Sequence, residues 1–248
     1  MTKVSKFASL TVLVGMTLTS SNAFAKEIKF DVNDPTGRDT VSFNSNAPIE
    51  VIIGHTNKVT GTITVDNSLD LSKQPLSAQF DVDLASIDTG IALRNEHMRD
   101  NFLETKKFPK ATFKLKSIAS GATVLKDKQK VHLEANGDFT VHGKTVQKKV
   151  PIDVTYFKMC PATDGKFKNC DIIQINSTFP VAFKDHDIKR PEVVFQKLAD
   201  TVFVTVGASA HKEVTAAAKA PDKTAPKAPD KTAPKPPDKV APKPPVKK

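Results

Sequence analysis

The chain has 248 residues, of which 39% are hydrophobic, and Lys and Arg outnumber Asp and Glu by 37 to 27. The resulting net charge of +10 sits mostly at the ends: residues 219–248 hold nine Lys against three Asp, and Lys3 and Lys6 fall in the first 25 residues. The central region is close to charge balance and has no Arg-rich, aromatic-interleaved stretch, which excludes a nucleic-acid-binding surface. Lys3 and Lys6 precede an apolar run over 7–18, and Ala23-Phe24-Ala25 has the small residues of a cleavage site. This pattern predicts a secretory signal over 1–25, too short to span a membrane. It implies a periplasmic location, with secretion as the alternative. One folded domain is expected over 26–218, followed by a Lys/Pro tail over 219–248.

Asp34-Pro35-Thr36-Gly37 reads as a turn. Val41 and Phe43 then begin a strand, and Ile49, Val51 and Ile53 continue the alternation after Pro48. Val59, Gly61, Ile63 and Val65 alternate with three threonines, and Ala78, Phe80, Val82 and Leu84 alternate with Gln79, Asp81 and Asp83. Each such strand has one apolar face and one wet face.

In residues 86–113 the period changes. Ser86, Asp88 and Thr89 offer capping oxygens, and Ile87, Ile91, Met98 and Phe102 recur at helical spacing. Among them lies a polar set: Arg94, Glu96, His97, Arg99 and Asp100. Phe108-Pro109 ends the helix, since the residue before proline is pushed out of helical geometry. Ala111, Phe113 and Leu115 resume a strand. Ser86-Ile87-Asp88-Thr89-Gly90, Arg94, His97-Met98-Arg99, Phe102-Leu103, Phe108-Pro109 and Phe113 together resemble the signature of the YceI-like family. Weaker similarity extends over about 26–210. The resemblance implies a periplasmic protein with a lipocalin-like β-barrel that binds polyisoprenoid or similar lipids.

Asn136-Gly137 suggests a hairpin turn, but a turn there mixes the faces of Leu133, Phe139 and Val141. One continuous strand with a turn at Gly143-Lys144 keeps them together, pairing Leu133 with Val154 and leaving only Phe139, opposite Lys148, badly matched. Strands this long suit a barrel wall. Cys160 and Cys170 flank a loop of turn residues in an exported chain, so a Cys160–Cys170 disulfide is expected. Ile173, Ile175, Phe179 and Val181 form a further strand, a short helix runs from about Pro191 to Leu198, and Val202, Val204 and Val206 form the last strand. The octapeptide KAPDKTAP occurs at 219–226 and 227–234 and varies at 235–242; nine prolines in thirty residues predict a disordered tail.

The expected fold is mainly β: an antiparallel, lipocalin-like barrel of about eight strands with two short helices. No G-x-S-x-G, H-E-x-x-H or glycine-rich phosphate loop is present, so no catalytic residue, cofactor or metal site is assigned. His132 and His142, both placed on the outer face, would stand roughly 33 Å apart and cannot share a metal. The expected barrel lining comprises Phe43, Val51, Ile63, Phe80, Val82 and Phe113 from the first half, and Leu133, Phe139, Ile152, Phe179 and Val204 from the second. Arg94, His97 and Arg99 are the candidate head-group contacts. The expected partner is an apolar lipid: a polyprenyl chain, a quinone or a fatty acid derivative. The alternative is a structural envelope protein held to an anionic envelope surface by its basic tail.

Overall fold

The computed structural model describes residues 27–160, 170–190 and 196–212. The expected signal segment, the loop joining Cys160 to Cys170 and the tail lie outside them. Ten strands form one antiparallel sheet: β1 (Glu27–Val32), β2 (Thr40–Asn46), β3 (Val51–Thr56), β4 (Val59–Asp66), β5 (Ser77–Asp83), β6 (Lys110–Gly121), β7 (Lys130–Val141), β8 (Lys144–Cys160), β9 (Cys170–Ala182) and β10 (Thr201–Lys212).

Their register shows why ten strands make eight staves. β1 and β2 both run antiparallel to β10, with Phe30 opposite Lys212 and Val41 opposite Val206. They are two halves of one stave, interrupted where the Asp34 carboxylate accepts hydrogen bonds from the backbone N–H groups of Thr36 and Arg38. β3 and β4 form the second stave, pairing with β2 and β1 respectively. The β1–β10 pairing closes the ring, so the barrel agrees with the expected architecture.

Two features of the wall differ from the sequence reading. The β7–β8 turn is His142-Gly143, closed by Val141 opposite Lys144, with both turn residues at positive φ (52° and 73°) as a two-residue hairpin requires. Leu133 therefore faces Ile152 and Phe139 faces Val146, which removes the mismatch with Lys148. In β3 the parity is reversed: Val51 and Ile53 point outward, 57% and 56% exposed, while Ile52 is buried. The backbone register sets Cys160 opposite Cys170, but their side chains, and so the expected disulfide, fall outside the described residues.

Between β5 and β6 the chain leaves the wall. Leu84–Ser86 is a 3-10 turn, α1 spans Ala92–His97, and Met98–Phe102 adds a turn of π-helix. The helix begins later than its apolar spacing suggests because Asp88, Thr89 and Asn95 form a side-chain knot ahead of it. Asn95 Nδ2 donates to Asp88 Oδ1 at 2.6 Å, and its Oδ1 accepts from the Thr89 N–H at 2.8 Å. Hydrogen bonds from the Gly90 N–H and the Asn95 amide hold the Asp88 carboxyl below its ordinary range. Beside the β7–β8 hairpin, whose His142 bonds the His186 carbonyl, Phe183–His186 forms a 3-10 turn; the second helix, expected from Pro191, falls largely on residues 191–195, outside the described residues.

Inside the barrel the buried side chains divide into two clusters. One is filled solid by Phe30, Val65, Leu133, Tyr156, Ile173 and Ala210, with Ile63 among them. The other, around Leu84, Ile87, Phe139, Val150, Phe179 and Val202, only lines its space. Phe30 is 0% exposed in the filled cluster, so Phe30→Ala is expected to lower stability by about 3–5 kcal/mol in denaturant titration. Phe43→Ala, at a side chain that already faces open space, should cost less than half as much in the same measurement.

Candidate functional site

The half-filled end of the barrel holds a cavity of about 540 Å³, within the range of small-molecule sites. Its wall is built from inward residues of the staves and its roof from the segment between β5 and β6. Among the described residues seven phenylalanines line it: Phe43, Phe80, Phe102, Phe113, Phe139, Phe179 and Phe183.

Three of these rings leave the centre open because glycines in the neighbouring strands give them room to lie flat. Phe43 stands opposite Gly54, where a Cβ would fall 2.3 Å from the ring. Phe80 stands opposite Gly61, where a Cβ would come within 3.0 Å of the ring and 2.5 Å of the Gln79 carbonyl. Phe113 lies over Gly137, where a Cβ would fall 2.4 Å from the ring. Ring-over-glycine contacts let a large apolar side chain cover the wall instead of crossing the lumen. Phe139 and Phe179 meet edge to face at 5.6 Å, and Phe139 also meets the His186 ring at 5.3 Å.

His186 is fully buried behind this wall. Its Nδ1–H donates to the Lys144 carbonyl at 3.1 Å, and its Nε2 has no partner among the described residues. Burial pushes the ring below its ordinary value of 6.5, so it stays neutral. His142, expected on the outer face, is instead turned inward at the hairpin tip. It bonds Glu104 at 2.7 Å and the His186 carbonyl at 3.1 Å.

Of the expected lining residues, Phe43, Phe80, Val82, Phe113, Phe139, Ile152, Phe179 and Val204 border the cavity. Ile63 and Leu133 share their inward orientation but sit in the filled cluster. Val51 is corrected: it faces solvent, and Ile52 takes its place in the lining.

Of the three polar candidates, Arg94 borders the cavity but is already engaged. Its Nη1 donates to Glu50 at 2.7 Å, its Nε to Thr89 Oγ1 at 2.9 Å and its Nη2 to the Thr89 carbonyl at 2.8 Å. Arg99 turns back on its own segment, with Nη2 3.4 Å from the Ile87 carbonyl, and does not border the cavity. His97 does border it, joined by Lys197, which sequence reasoning missed because the intervening fold alone brings it to the mouth. The roof residues Leu84, Met98 and Leu103 were also missed, although the helical spacing of Met98 carried a signal. Among the described residues no cluster of His, Cys, Asp and Glu is arranged to hold a metal.

A family model described as the YceI-like domain matches residues 17–210. A UPF0312 protein of Vibrio cholerae is 31% identical over 135 residues, covering 53% of this chain and 66% of the relative. One from Shewanella putrefaciens is 29% identical over 139 residues, covering 55% and 66%. The chain thus spans just under two thirds of the length of the curated relatives it matches. Solved structures share the fold, two of them with TM-scores above 0.5. BcnA of Burkholderia cenocepacia has a TM-score of 0.53 at 22% identity, covering 72% of this chain and 98% of that one. A polyisoprenoid binding domain from Saccharophagus degradans, implicated in plant cell wall breakdown, has a TM-score of 0.55 at 16% identity, covering 75% and 98%.

The ring-over-glycine contacts make a direct prediction. Gly54→Val should drive the Phe43 ring into the lumen, so that a crystal structure of the variant shows a cavity smaller than 540 Å³ while the β-sheet circular dichroism is unchanged. The buried His186 makes another. Because its folded value is depressed, its full contribution to stability is present above pH 6.5 and is lost as pH falls below that, where the unfolded ring takes up a proton first. Melting curves at pH 7.5 and 5.5 should show a smaller acid loss in His186→Met than in the unaltered protein.

Proposed function

The chain belongs to the YceI-like family, and from that premise we propose that it binds, carries or stores a long-chain apolar lipid in the barrel without transforming it. The observation that carries this reading is the 540 Å³ cavity, with its lining of phenylalanine and aliphatic side chains. An isoprenoid-like chain suits such a wall, as does a quinone tail or a fatty acid derivative. Burial at ~0.8 kcal/mol per carbon group makes each five-carbon unit worth up to ~4 kcal/mol. A few units would pass the ceiling of non-covalent affinity, so the costs of ordering the chain offset much of this gain, and a short buried length suffices. His97 and Lys197, at the edge of the cavity, are the side chains placed to meet a polar end group. The signal pattern of residues 1–25 supports a periplasmic site of action.

Native mass spectrometry with solvent extraction tests the proposal on protein purified from its own periplasm. The expected result is a co-purifying apolar molecule that is lost on Phe80→Asp, which places a charge in the lining. Ligand-free protein whose envelope association disappears on deletion of 219–248 would instead identify the tail as the binding part. Turnover abolished by His97→Ala with the fold intact would make the protein an enzyme.

A further inference from the structure

Seven large hydrophobic residues are conspicuously exposed among the described residues, and six of them belong to one region: Ile49, Val51, Ile53, Ile91, Leu93 and Phe203. The seventh, Val124, lies elsewhere. β3 carries Val51 and Ile53 on its outer face at the end of the sheet, with Ile49 just before it. The register extends that face to Phe203, which stands opposite Asn44, itself opposite Ile53. Across the gap, the bridge between His55 and Asp88 and the bond from Arg94 to Glu50 bring Ile91 and Leu93 alongside β3. Ile91 and Leu93 are 51% and 59% exposed yet also line the cavity, so the exposed apolar residues of this region reach the edge of the lumen.

We propose that this rim docks on a lipid bilayer, so that ligand passes between membrane and lumen without crossing water. Two observations favour a bilayer over another occupant. The patch borders the cavity mouth, and every methylene of an apolar chain moved through water would raise the barrier to exchange. Lys197 lies at the same mouth with no ion-pair partner among the described residues, while Glu50 is matched by Arg94, leaving positive charge toward anionic lipid heads. The identity of the occupant of the cavity rests on the proposed function; docking itself does not.

The test is flotation of the purified protein with vesicles of phosphatidylethanolamine and phosphatidylglycerol, made without added ligand. Val51→Glu/Ile53→Glu and, separately, Ile49→Glu/Phe203→Glu place charge on the rim at positions outside the cavity. Both should reduce the vesicle-bound fraction at least fivefold, in 0.15 M and 0.5 M NaCl alike, with melting temperature and uptake of a detergent-presented C16 fatty acid unchanged. Loss of that uptake in the unaltered protein would sink the ligand reading while leaving vesicle docking to stand or fall separately. Undiminished flotation of both folded variants would overturn the proposal. So would flotation that vanishes in 0.5 M salt or on deletion of 219–248, which would assign it to the tail. A concentration-dependent dimer abolished by the same substitutions, without vesicle binding, would make the rim a contact between copies.

Discussion

The lumen depends on three phenyl rings that lie along the barrel wall, each over a glycine of an adjacent strand. An eight-stave barrel has an interior that its own side chains nearly fill. Phe30, Tyr156 and Leu133 do fill it at one end, where no glycine among the described residues has an aromatic ring lying over it. At the other end, Phe43, Phe80 and Phe113 are equally large, but Gly54, Gly61 and Gly137 give their rings room against the sheet. The apolar side chains that would otherwise close the core become the lining of a chamber. Burial is incomplete there, and the chamber is held open by sterics rather than by any polar group.

The segment between β5 and β6 roofs this chamber because it is fixed at several points along its length. Its start is joined to β3 by reciprocal backbone bonds between His55 and Asp88, both 2.9 Å. Its helix is held to the start of β3 by the Arg94–Glu50 bond. Its end is held by Glu104 on His142 and by the Phe108 ring, which rests where a side chain on Gly143 would otherwise stand. The polar residues that make this stretch conspicuous are therefore mostly fasteners. Arg94 and Asn95 spend their hydrogen bonds on the segment and on the strand beside it, so that of the two polar candidates bordering the cavity, Arg94 and His97, the first is already committed to Glu50 and Thr89.

Most of the wall was legible from alternation. β5 and β7 have apolar or glycine residues at every second position, and β9 does so apart from Ser177, so period two leaves no choice of face. β3 was not legible in this way because Val51, Ile52 and Ile53 are all apolar, and alternation cannot rank three candidates in a row. Only its pairing with β2, which places Phe43 opposite Gly54, fixes which face is inward. The β7–β8 register was off by two because a His at positive φ is a weak turn signal. The poor match of Phe139 with Lys148 pointed to the correction, since moving the turn sets Phe139 against Val146. The chamber itself was illegible. Inward phenylalanines predict a greasy interior, but whether it is full depends on which residue lies across from each ring. Lys197 was equally hidden, reaching the mouth from a part of the chain more than ninety residues beyond the roof helix.

The division of the interior into a solid half and a hollow half has a consequence for how such a barrel can diverge. Cohesion of the fold resides mainly in residues that never meet a guest, such as Phe30, Val65 and Ala210. Residues that would meet one, such as Phe43 and Phe113, already border empty space, and replacing them disturbs few close-packed neighbours. The chamber can therefore drift in shape while the plug beneath it keeps the molecule folded. A lineage built on this plan is free to reshape its chamber without first rebuilding its scaffold.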